Sequence, residues 1–202
     1  IFGKKNRMNY LAHVYLSDPE KELSIGNFIA DHVKGKAYLD YPLRIQKGIL
    51  LHRKIDDFTD KHPLFRKNVS LLFPKFRHYS RVIVDMFFDH FLAVQWEFYH
   101  SDSLQVFSKR FYAMLEQYLD ILPCKTKKML PFITKYNWFM AYRSVEGLEK
   151  TLYQMSLRTR FPSNMNLSIL NLKYNYSDIA LDFSCFFKEL QDFVKYEKEN
   201  FP

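Results

Sequence analysis

All seven histidines of this chain (His13, His32, His52, His62, His78, His90 and His100) fall between residues 13 and 100, and most have an aspartate close by. In LHRKIDDFTDKHP, His52 and Asp56 are four residues apart. In VIVDMFFDHF, Asp85 and Asp89 are four apart and His90 follows directly. Side chains four apart share one face of an α-helix. Two helices that each offer such a pair can enclose a small volume with imidazole and carboxylate, a donor set suited to a divalent cation. Such a cation polarises phosphoryl oxygens and brings the pKa of a coordinated water toward neutrality. The expected chemistry is therefore hydrolytic.

The expected metal ligands are His52 and Asp56 from one helix, Asp89 from the other, and Asp31, which sits late in GNFIAD where it can point inward. Asp85 is read as a further ligand, as an acid that orients a histidine, or as the general base. Arg53, directly after His52, suits phosphate oxygens; the competing reading is a surface ion pair. His90 and His62 are candidates for protonating a leaving group, against which stand a core histidine and a helix-cap histidine. His13 lines the pocket or supports its base, and Asn27 binds substrate or caps backbone groups. His32, His78 and His100 are read as structural. Mixed imidazole and carboxylate suits Mn²⁺, Fe²⁺ or Mg²⁺ as well as Zn²⁺. Neither cysteine takes part, which weakens a structural zinc.

The elements that must position these groups read as helices. Ser24 caps a helix through IGNFIADHV that ends near Gly35. Asp40 and Pro42 open the next, which runs to about Thr59, and Pro63 opens a third with His62 beside its cap. Residues 79–98 read as one long helix, apolar around most of its circumference and hence buried. Its acids must then be paired, because an isolated buried carboxylate costs several kcal/mol or shifts its pKa. Further helices are expected at 103–122, 123–136, 145–157 and 176–200. In the last, Ile179, Phe183, Phe186, Phe187, Leu190 and Phe193 form a core-facing stripe.

Composition agrees. The chain has 202 residues, 18% of them aromatic, and only five glycines, which argues against an all-β sandwich. The expected fold class is all-α, a single helical domain over residues 8–202, with residues 1–7 a leader or appended segment ahead of Met8. Cys124 and Cys185 match no zinc or redox spacing and point to a reducing, cytoplasmic setting. No apolar run is long enough to span a membrane.

The net charge is +8 and uneven. Residues 170–202 hold four lysines against six acids, and the rest holds 26 basic residues against 16 acids. No acid occurs from Lys61 to Val84 or from Ile121 to Val145. These stretches are either solvated helix faces or a docking surface for an acidic partner. No nucleic-acid motif accompanies the charge.

The segments MNYLAHVYLS (8–17), SIGNFIADHVKG (24–35), GILLHRKIDDFTDKHP (48–63) and VDMFFDHFLA (84–93) resemble motifs of the bacterial acyl carrier protein phosphodiesterases. NWFMAYRSVEGLEKTLYQMSLR (137–158) resembles their later helical segment. The resemblance implies an HD-like helical bundle dependent on a divalent cation, usually manganese. It implies hydrolysis of the phosphodiester between 4′-phosphopantetheine and a serine of holo acyl carrier protein, an acidic substrate. Carried over, Asp31 matches the acid of the early helix motif, His52, Arg53 and Asp56 the histidine-arginine-acid block, and Asp85, Asp89 and His90 the acid-rich long helix. The broader HD pattern has an upstream His, an adjacent His-Asp doublet and a downstream Asp. This chain has His52-Arg53 and the reversed Asp89-His90. Other HD-type phosphohydrolases of nucleotides or small phosphodiesters, and a non-enzymatic module that binds an acidic partner, are the alternative readings. The sequence leaves the oligomeric state open.

Overall fold

The computed structural model describes residues 10–201; the expected leader and Met8 lie outside them. Among the described residues there is no strand. Twelve α-helices follow one another: α1 (Tyr10–Ser17), α2 (Lys21–Ile29), α3 (Leu43–Lys61), α4 (Pro63–Phe76), α5 (Ser80–Val94), α6 (Trp96–Tyr99), α7 (Leu104–Gln117), α8 (Cys124–Tyr136), α9 (Trp138–Ala141), α10 (Val145–Ser156), α11 (Ile169–Tyr174) and α12 (Tyr176–Glu199). The all-α class expected from composition and periodicity is the fold observed. Among the described residues no helix is long and apolar enough to cross a membrane.

Helix α5 forms the centre. Every residue from Ile83 to Ala93 is buried, as its apolar circumference requires. The high aromatic content goes into this core. Phe65, Phe87, Phe91, Phe107, Phe139, Phe183, Phe187 and Trp96 are all sealed from solvent, each contributing ~1.5–3 kcal/mol by burial. The α12 stripe packs here as expected: Ile179, Phe183, Phe186, Phe187 and Leu190 are buried and Phe193 is partly so.

Local signals account for several helix starts. Pro42 precedes α3, and the His62 ring accepts from Leu64 N–H with Pro63 in the first turn of α4. Ser103 accepts from Val106 N–H, and Ser144 from Gly147 N–H. Two expectations need correction. Ser24 is no cap: its N–H already donates to Glu20 carbonyl at 2.9 Å, so α2 starts upstream and ends at Ile29. A 3-10 turn, Ala30–His32, then carries Asp31, and Gly35 takes a left-handed φ of +53°. The long 79–98 helix is interrupted at Gln95, after which the Trp96 indole N–H donates to Asp102 carbonyl at 2.8 Å.

Helices α2 and α3 touch backbone to backbone through two glycines. A Cβ on Gly26 would lie 2.1 Å from Ile45 carbonyl oxygen, and one on Gly48 2.2 Å from Leu23 carbonyl oxygen. Only glycine permits this approach. It brings Asn27 and Asp31 against His52, one turn beyond Gly48.

Candidate metal centre

Three short routes of chain meet at the site. α1 brings His13, α2 and its 3-10 turn bring Asn27 and Asp31, and α3 brings His52 and Asp56. The ligand-type atoms of His13, His52 and Asp56 lie within 4.8 Å of one another. His13 Nε2 is 3.6 Å from Asp56 Oδ1, and His52 Nε2 is 3.7 Å from both Asp56 Oδ2 and Asp31 Oδ1. The histidine side chains are 2% and 4% exposed, the Asp31 and Asp56 side chains 15% and 25%. Imidazole thus lies at the floor and carboxylate at the mouth. Asp31 Oδ2 is buried with no hydrogen-bond partner among the described residues. A buried carboxylate oxygen in that state is what a cation would satisfy. Two neutral imidazoles with two carboxylates are also the donor chemistry that suits a hard or borderline divalent ion. The residues present therefore fit such an ion.

The imidazoles are held from behind. Asn27 Oδ1 is 2.8 Å from His13 Nδ1 and 3.1 Å from His52 Nδ1. The rings stack with centroids 4.0 Å apart. Burial lowers the pKa of His13, and the neighbouring His52 lowers it further, so the ring stays neutral.

Other expected site residues are placed elsewhere. Asp89 accepts from Leu11 N–H at 3.1 Å and Ala12 N–H at 2.9 Å. Both its oxygens serve the start of α1, whose first-turn N–H groups have no partner within their own helix. Its effect on the site is indirect: it anchors the helix that carries His13. His90 is 1% exposed and fully engaged. Nδ1 donates to Tyr142 carbonyl at 2.7 Å, so Nε2 must accept from the Tyr176 hydroxyl at 3.0 Å. His62 caps α4 through Nδ1, leaving Nε2 to donate to Glu189 at 3.2 Å, with its ring beside Phe58 and Phe186. The core and cap arrangements weighed against acid catalysis are thus the ones present. Arg53 donates to the carbonyls of Val33 and Gly35 and lies over the Tyr38 ring. Its guanidinium clamps the loop that follows Asp31. Asp85 is buried on α5, one turn before Asp89.

Sequence reasoning had His13 line the pocket or support its base, and Asn27 bind substrate or cap backbone groups. The structure puts His13 in the cluster, and Asn27 at zero exposure behind it, out of reach of any substrate. Neither role had a local signal, since His13 and Asn27 meet across 14 residues and Asn27 and His52 across 25.

The two acid-free stretches also differ. In the first, Lys61 pairs with Asp57, Lys67 with Asp182 and Arg81 with Asp60. In the second, Arg143 pairs with Glu97 and Lys127 donates to the Asp120 carbonyl, while Lys125, Lys127 and Lys128 stand exposed together on the first turns of α8. That helix is tied to the site's edge by Thr126, whose hydroxyl is 2.7 Å from Nδ1 of His32, the neighbour of Asp31. Burial, and next Lys125, push the His32 pKa down to about 4.

Fold and site define an all-helical protein with a recessed imidazole–carboxylate cluster whose donors fit a divalent cation. Sequence comparison narrows the class to phosphodiester hydrolases. The family profile described as acyl carrier protein phosphodiesterase matches residues 8–190, and the chain belongs to that family. Relatives named acyl carrier protein phosphodiesterase include one from Photorhabdus laumondii subsp. laumondii, 27% identical over 96% of each chain. Another, from Pectobacterium atrosepticum, is 26% identical over 93% of this chain and 98% of its own. No solved structure gives a significant match.

Proposed function

We propose that this chain hydrolyses the phosphodiester joining 4′-phosphopantetheine to a serine of holo acyl carrier protein, yielding apo carrier protein and free 4′-phosphopantetheine. The observation that carries this reading is the meeting of His13, His52, Asp56 and Asp31 at one recessed point in a member of this family. In an HD-like centre these four residues would hold a divalent cation, Mn²⁺ first and Mg²⁺ or Fe²⁺ otherwise, with His13 as the upstream histidine. When bound, the cation supplies charge stabilisation at the phosphoryl oxygens and an acidified water. Asp31 and Asp56 bring the negative charge that balances it. Asp89 anchors α1, and Arg53 holds the loop after Asp31 in place, so both act by positioning. His90 and His62 serve the scaffold in this reading.

Acyl carrier protein is acidic, and the α8 lysines offer it a complementary face next to Asp31. The test is direct. The purified protein is incubated with Mn²⁺ and holo acyl carrier protein, and the carrier is weighed by mass spectrometry. The carrier should lose one phosphopantetheine mass, and chelator or His52→Ala should abolish the loss. A carrier unchanged by folded, metal-loaded protein would reject this substrate.

A further inference from the structure

We infer that Asn27 is a positioning residue that fixes both imidazoles of the cluster in the tautomer a cation needs. The purpose rests on the divalent-cation reading above; the geometry stands without it. The amide of Asn27 is wholly buried and can sit only one way round. Its nitrogen lies 3.0 Å from the His13 carbonyl oxygen and 2.7 Å from Ser17 Oγ. Ser17 Oγ gives its own proton to that same carbonyl at 3.0 Å, so toward Asn27 it accepts. Turning the amide over would press its oxygen against a carbonyl oxygen. Oδ1 therefore faces the two rings.

An amide oxygen only accepts hydrogen bonds. Each ring must then keep its proton on Nδ1, which leaves a lone pair on each Nε2, the atom that faces Asp31 and Asp56. A strong competitor opposes this arrangement. The carboxylates of Asp56 and Asp31 lie 3.6 to 3.7 Å from the Nε2 atoms and would attract an N–H there. A proton drawn to Nε2 would occupy the position through which the ring ligates. The Asn27 oxygen, with its two lone pairs divided between the rings, offsets that pull at both histidines at once. Tautomer control of this kind, exerted from behind a ligand, generally governs metal affinity by ~10–100-fold.

Long-range ¹H–¹⁵N correlation spectra of metal-free protein carrying ¹⁵N-histidine identify the protonated nitrogen of each ring. Wild type should show His13 and His52 both protonated on Nδ1. Asn27→Leu keeps the volume and removes the acceptor; at least one ring should move its proton to Nε2, with Mn²⁺ affinity by calorimetry falling ~10–100-fold. Asn27→Asp, as the neutral acid that burial favours, gives its O–H to the His13 carbonyl and keeps an acceptor facing the rings, and should retain the wild-type tautomers, a rescue that a purely structural role for Asn27 does not predict. A wild-type ring protonated on Nε2 overturns the inference, and so does a folded Asn27→Leu with both protons still on Nδ1. Should Asn27→Leu not fold, the wild-type spectrum and Asn27→Asp decide. Wild-type rings both protonated on Nδ1 in a protein that takes up no Mn²⁺ would support the tautomer inference while defeating the divalent-cation reading.

Discussion

The histidine and aspartate of α3 stand four residues apart and those of α5 stand side by side, and the two pairs meet different surroundings. On α3, His52 and Asp56 face each other at 3.7 Å beside a second histidine and a second acid. On α5, Asp89 is taken up by two backbone N–H groups and His90 by a carbonyl and a hydroxyl. The difference lies in which polar atoms the fold has already engaged. Asn27 holds the α3 ring by Nδ1, and Nε2 is directed at the acids. The α5 groups are satisfied on every side, and a satisfied group has little to offer a ligand. A histidine and an aspartate on one helix therefore mark a possible centre only where the tertiary structure turns them toward one another and toward further donors.

Substitutions can break this contrast, and the largest effects should fall on α3. His52→Ala or Asp56→Ala should lower Mn²⁺ affinity and phosphodiesterase activity by more than ~100-fold, measured by calorimetry and carrier-protein mass. Equal losses from His90→Leu in a folded protein would erase the distinction between the helices.

Gly48→Ala attacks the same helix through its packing. The added Cβ meets the Leu23 carbonyl, so α2 and α3 must separate. We expect a loss of ~1–3 kcal/mol or more in denaturant unfolding, with weakened metal binding because Asn27 moves from His52. His90→Leu should cost a similar ~1–3 kcal/mol by stranding the Tyr142 carbonyl and Tyr176 hydroxyl, but leave Mn²⁺ affinity as it is.

Asp89 sharpens the comparison through pH. Burial pushes its pKa up to about 7 from the ordinary 3.8, while the Ala12 and Leu11 N–H groups pull it back. Between those values the folded protein holds a proton that the unfolded chain has released. Stability should then decline as pH rises through this window, by at most ~1.4 kcal/mol per pH unit, and level off above about 7. Asp89→Asn should remove that slope in unfolding curves taken at pH 5 and pH 7.5. A wild-type slope that persists in the variant would assign it to another group.

The smallest effects belong to the surface. Charge reversal at Lys127 and Lys128 should raise KM for holo carrier protein with little change in kcat, and added salt should mimic it as screening shortens to ~8 Å near physiological ionic strength. Reversal at Lys67, which Asp182 already neutralises, should change KM less.

Where a residue's partners are local, the chain alone was informative. The apolar circumference of α5 announced its burial, and Pro42, Pro63, Ser103 and Pro123 marked the starts of α3, α4, α7 and α8, because caps and periodicity act over a few residues. His52, Asp56 and Asp31 were legible as candidate ligands from type and position. Helix α1 carried no such mark, since the carboxylate at its start comes from Asp89, 78 residues beyond Leu11. The choice among seven histidines was likewise tertiary. His13 joined the cluster, and His62 and His90 left it, because a ring nitrogen's availability depends on which distant carbonyl, hydroxyl or amide has reached it first. The sequence by itself determined a helical scaffold with an imidazole–carboxylate vocabulary. Only the tertiary structure, by bringing α2 against α3 at two glycines and burying Asn27 between two rings, decided which of those side chains point at a common centre.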